Sequence, residues 1–84
     1  MYNYNSLTDE FLQYKRFLGY KYKTDEIVIK GIAKFLNDND VSVITKEVSE
    51  MYARMNPNLS SNTIARNMGV FREFCDYLIL NGIQ

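Results

Sequence analysis

The chain contains no histidine and no tryptophan, one cysteine, one proline and no excess of either charge. Each absence excludes something. Without histidine there is no imidazole to act as acid, base or metal ligand. Scattered acids beside one thiol do not make a zinc or calcium site. A single thiol, Cys75, cannot close an internal disulfide and fits a reducing, cytoplasmic interior. Apolar runs are only a few residues long, well short of the roughly 18 that a membrane span needs. The opening "MYNYNSLTDE" has neither a basic n-region nor a hydrophobic stretch, so it is no secretory signal and no membrane partner is expected.

What is present is enough for one small domain. The chain has 84 residues, 46% of them apolar and 14% aromatic. A chain of that size buries roughly 60% of its unfolded surface and folds on a modest core. Ten basic residues balance ten acidic ones, an average that speaks against a nucleic-acid binder. The order of the charges is more informative. Residues 15–34 carry six basic and two acidic side chains, a net of +4, and residues 54–72 carry three arginines and no acid. Residues 35–53 net −3. A fold that joins the two basic blocks gives a neutral protein a basic face.

Periodicity predicts an all-α, compact four-helix bundle, with helices over 6–19, 24–37, 45–56 and 61–81 behind a flexible tail of residues 1–5. Ser6 followed by Asp9 reads as a capping pair for the first helix, whose stripe is Leu7, Phe11, Tyr14 and Leu18, closed by Gly19. Thr24 reads as the second N-cap, with Asp25 and Glu26 in the first turn and Val28, Ile32, Phe35 and Leu36 as the stripe. Gly31 inside that helix suggests a close helix contact, since it costs about 1 kcal/mol relative to Ala. Thr45 caps the third helix, with Val48, Met51, Tyr52 and Met55 as its buried face, and Pro57 ends it. Ser60 or Ser61 caps the fourth, with Ile64, Met68, Phe71, Cys75 and Leu78 inward and Gly82 just beyond its end.

Two segments resemble a known family. "FLQYKRFLGYKYKTDEIVIKGIAKFL" is similar to the opening of the N-terminal core-binding domain of tyrosine recombinases (phage integrases), through Gly19, Tyr20, Thr24, Val28, Ile32 and Phe35. "LSSNTIARNMGVFREFCDYLILNG" resembles that domain's closing motif, through Ser60, Thr63, Arg66, Phe71, Arg72, Phe74, Tyr77, Leu78 and Gly82. The likeness runs from about Leu7 to Gly82 and rests on the order and spacing of the pieces. It departs at Val28, where the family often has an aromatic, and at Glu26, on a part of the second helix that often faces DNA. The resemblance implies a SAM-like domain gripping one face of duplex DNA with helices two and four. It also implies a separate C-terminal catalytic domain of the same parent chain, and other recombinase protomers on the DNA. Strand cleavage and rejoining would belong to that other domain.

Seven tyrosines raise the question of a nucleophile. A strand-cleaving tyrosine needs cations or donors on the phosphate. Tyr14, Tyr52 and Tyr77 lie at or beside apolar stripes, so packing is their expected role, and no catalysis by this chain alone and no cofactor is expected. The candidate DNA-binding residues are Lys21, Lys23, Thr24 and Lys30 around the second helix, and Ser60, Asn62, Thr63 and Arg66 on the fourth. A helix N-terminus offers free N–H groups and positive dipole to a phosphate, short polar side chains add donors, and Arg66 one turn in would reach a base edge or second phosphate. At 100° per residue Arg66 lies about 200° from Ile64 and shares an outer face with Asn62, Val70 and Glu73. The ordinary reading of each is a solvated charge or a simple helix cap. Asp25 and Glu26 oppose phosphate contact unless they point aside. The competing function is a helical protein–protein interaction module that binds no DNA, favoured by the zero net charge and the aromatic start "MYNYN".

Overall fold

A computed structural model describes residues 3–20, 23–55 and 58–83, with the backbone alone at Lys23 and Thr24. Four helices follow in order: α1 Tyr4–Phe17, α2 Lys23–Asp38, α3 Lys46–Arg54 and α4 Ser61–Leu80. No strand occurs among the described residues, so the all-α four-helix architecture expected from periodicity is the one formed. No described helix is long and apolar enough to cross a membrane.

The first helix starts earlier than its expected cap. Asn3 is the N-cap, its side chain accepting the Asn5 N–H at 3.1 Å. Ser6 and Asp9 therefore lie inside α1 and cap nothing. The reason is burial: Tyr4 is 1% exposed, and its N–H donates to Asn37 Oδ1 at 3.2 Å near the end of α2. Part of the supposed flexible tail is core. Thr8, the one buried polar side chain among the described residues, donates its hydroxyl to the Asn5 carbonyl at 3.0 Å and so enters the core satisfied.

Three helices end in the same way. After α1, Gly19 at φ +97° lets its N–H reach the Arg16 carbonyl (3.0 Å) and the Tyr20 N–H reach that of Lys15 (3.1 Å). After α4, Gly82 at φ +70° does the same with Ile79 and Leu78. After α2 the left-handed position falls on Asp40, φ +50°, and its Val41 neighbour folds back into the core. These are Schellman caps, in which the turn at the left-handed residue satisfies the last carbonyls; Val41 and Ile83 then pack toward the core, whereas Tyr20 stays exposed.

The core is built by α1, α2 and α4. Phe11 and Leu12, Ile29, Ile32, Ala33, Phe35 and Leu36, and Val70, Phe71, Phe74 and Leu78 are buried together. Phe11 meets Phe74 edge-on at 5.5 Å and Tyr77 at 5.4 Å, geometries that favour aromatic quadrupoles. Helix α3 buries no residue fully. It is held chiefly by Tyr52, stacked on Phe71 at 5.0 Å and edge-on to Phe35 at 5.4 Å. Met51 (51% exposed) and Met55 (47%) were expected inside with it but face out, because nine residues against one helix turn only a narrow strip inward. Leu18 is half in solvent, and Tyr14, 38% exposed, packs its ring on Tyr77 at 5.3 Å at the edge of the core, since α1 meets its neighbours along Tyr4, Thr8, Phe11 and Leu12. Gly31 does not mark a close approach: a β-carbon there would meet nothing within 4 Å.

Candidate nucleic-acid interface

The N-terminus of α4 forms as its sequence suggests. Ser60 Oγ accepts the Thr63 N–H at 3.2 Å and lies 2.9 Å from Thr63 Oγ1. Such a cap satisfies one of the first-turn N–H groups that a helix cannot satisfy internally. Ser60, Ser61, Asn62 and Thr63 are all exposed around it, with no acid in the first turn.

Arg66 is where the structure departs from a free outer face. Its guanidinium donates from Nη2 (2.9 Å) and Nε (3.3 Å) to Asp25 Oδ1 in the first turn of α2. Val70, expected beside it on the solvent side, is only 5% exposed, and Glu73 pairs with Lys15 at 3.6 Å. The face that carries Arg66 is thus the seam where α4 meets α1 and α2. The stripe of Ile64, Met68 and Cys75, expected to be fully inward, turns toward the short α3 and stays half-buried. Reading one helix at 100° per residue finds one apolar face, whereas α4 is covered from two sides by neighbours of unequal length.

The second acid is engaged in the same cluster. Glu26 meets Lys30 at 3.2 Å within α2 and Arg16 at 3.1 Å from the end of α1. The hydrogen bond and charge of Lys30, followed by Arg16, hold the Glu26 carboxyl below its ordinary value. The C-terminal turn of α1, the first turn of α2 and the second turn of α4 therefore meet through three cations and two carboxylates. Asp25 and Glu26 do not point aside from this junction; they occupy its cations. Lys34, farther along α2, pairs with Asp38 at 3.7 Å instead.

Of the candidate residues, Lys30 pairs with Glu26 and Arg66 with the neighbouring Asp25, and Ser60, Asn62 and Thr63 stand at the start of the α4 that carries Arg66. Helix α2 begins at Lys23, one residue before the expected Thr24 cap. Lys21 and the side chains of Lys23 and Thr24 lie outside the described residues. Arg16 is the participant that sequence reasoning missed. Its signal was present, a basic residue in the last turn of a helix that leads straight into an acidic first turn. Burial raises the phenol pKa values of Tyr52 and of Tyr77, the latter also through Glu10 and Tyr14.

Comparison of the chain with models of protein families, with curated proteins and with solved structures finds no match.

Proposed function

We propose that this chain is a duplex-DNA-binding domain of the tyrosine recombinase core-binding kind, using the start of α4 and the first turns of α2. The supporting observation is the contact between Arg66 and Asp25, 41 residues apart in sequence, which sets the starts of α2 and α4 side by side. Two helix N-termini then present positive dipole and short donors to one stretch of phosphate backbone. The basic side chains of the cluster are held by exposed ion pairs, which are worth little, typically 0–1 kcal/mol. Phosphates of a duplex can therefore take Arg66 and Lys30 from their carboxylates at small cost. Strand cleavage is assigned to a separate catalytic domain of a longer parent protein, and recombination to protomers assembled on DNA. Backbone contact of this kind is weak for an isolated domain and strongly salt-dependent.

The Arg66–Asp25 pair supplies a two-sided test. On this reading Asp25 competes with DNA, so Asp25→Asn frees Arg66 and tightens binding to a mixed-sequence duplex. Arg66→Ala weakens that binding several-fold and lowers the salt slope by about 1, with helicity unchanged. Fluorescence anisotropy across a salt series reads both. The same weak affinity for wild type, Asp25→Asn and Arg66→Ala at low salt would leave the pair as a clamp between α2 and α4. It would favour the protein–protein module, whose exposed Phe17 (87%) and Ile27 (76%) flank this junction.

A further inference from the structure

Ten cations occur in the chain, and eight have described side chains. Six of those eight, Lys15, Arg16, Lys30, Lys34, Arg54 and Arg66, are paired with carboxylates. The remaining two, Lys46 and Arg72, have no acid partner among the described residues. Both line the same groove, a cleft of ≈ 370 Å³ between the start of α3 and the middle of α4. Its apolar wall is Ile44, Met68, Phe71 and Cys75, and no acid lines it. Burial pushes the Cys75 thiol up to about 11, so at neutral pH it is an uncharged part of that wall. The N-terminal end of α3 borders the cleft, its positive dipole offset in part by Glu47 in the first turn, so the two cations supply the charge there.

We propose that this groove binds an acidic peptide segment carrying a large apolar anchor residue. The anchor fills the cleft over Met68 and Phe71, and carboxylates on either side meet Arg72 and Lys46. The volume is at the lower end of ligand-sized clefts, roughly 300–1,000 Å³, and suits a few side chains. Charge complementarity selects the occupant: the two described cations with no acid partner among the described residues both lie on this face and call for an acidic one. The apolar wall favours peptide over nucleic acid, because a phosphate backbone brings nothing to bury there. The site is separate from the α2–α4 junction and does not depend on DNA binding.

The test is selection of a random-peptide display library on the full chain, followed by anisotropy titration of synthetic copies of the enriched peptides. Expected are sequences of net negative charge around a Leu, Ile, Phe or Trp. Their affinity should fall about tenfold or more on Arg72→Glu, as like charges at a contact cost several kcal/mol, and should weaken with salt. Lys46→Glu is a second variant, since an acid in the first turn of α3 favours the helix rather than disrupting it. Thermal melts of both variants confirm the fold. No enrichment, enrichment of neutral or basic peptides, or equal binding by Arg72→Glu would overturn the proposal. Sedimentation and a duplex-DNA titration separate the other occupants. A dimer abolished by Arg72→Glu, without peptide binding, would give the groove to a second copy. A duplex affinity lost in both variants, again without peptide binding, would give it to nucleic acid.

Discussion

Two glycine-related positions show how differently the same residue type acts at the scale of one residue. Gly31 sits in the middle of α2, exposed, with no neighbour within 4 Å of where a β-carbon would stand. It contributes only backbone freedom in the unfolded chain, so Gly31→Ala should raise stability by about 0.5–1 kcal/mol. Asp40 is the reverse case. It occupies the left-handed cap position that glycine fills at 19 and 82, and an L-residue there costs roughly 1 kcal/mol. Asp40→Gly should therefore stabilise as well, through the folded state. Denaturant titration of the two variants and their combination checks both, and the gains should add, because the sites share no partner. From sequence Gly31 invited the wrong inference, a helix contact. Composition records that a glycine is present, while only the packing says whether anything approaches it.

At the scale of the element, α1 is the instructive helix. Its apolar spacing was legible, and Gly19 marked its end correctly, yet its start was placed too late. Ser6 and Asp9 have the chemistry of a capping pair, but Asn3 does as well, and burial of Tyr4 decides between them. Two measurements follow from that placement. Removing residues 1–5 should lower the melting temperature markedly, whereas a flexible tail would leave it unchanged. Tyr4→Ala alone should cost on the order of 3–5 kcal/mol, the range for emptying a large aromatic site. A melt of the truncated chain identical to wild type would remove Tyr4 from the core. Helix α3 errs in the other direction. Its amphipathic pattern promised a buried face of four residues, and the bundle accepts little beyond Tyr52 and Val48 because α3 packs chiefly against α4, with Tyr52 reaching Phe35 of α2.

Across the whole molecule, zero net charge hides an uneven arrangement. The junction of α1, α2 and α4 collects Arg16, Lys30 and Arg66 with Asp25 and Glu26, and the α3–α4 groove collects Lys46 and Arg72, which have no acid partner among the described residues. The junction makes stability depend on acid. Glu26 has a folded value below its ordinary 4.5, so its contribution is complete above that value and is lost as pH falls through the lowered one. Melting temperature should decline as pH falls below about 4.5, and Glu26→Gln should flatten that decline by slightly lowering the neutral-pH melt, toward the level wild type reaches in acid. An equally steep acid limb in Glu26→Gln would remove the residue from the linkage.

The sequence by itself determined that the chain is four helices, because each carries an apolar period of 3.6 and its own stop signals. It also determined the Thr45 cap and narrowed the α4 cap to Ser60 or Ser61, because these are local hydrogen bonds between residues three apart; the structure selects Ser60. What only the tertiary structure decided is which side of each helix is truly outside. Arg66 and Val70 read alike from one helix alone, yet Arg66 stays exposed while pairing with Asp25, and Val70 is covered. Helical periodicity measures an angle about one axis, whereas burial and charge pairing depend on where the neighbouring axes lie. That is why the α4 cap was readable before the fold, and why Arg66's partner, 41 residues away, was not.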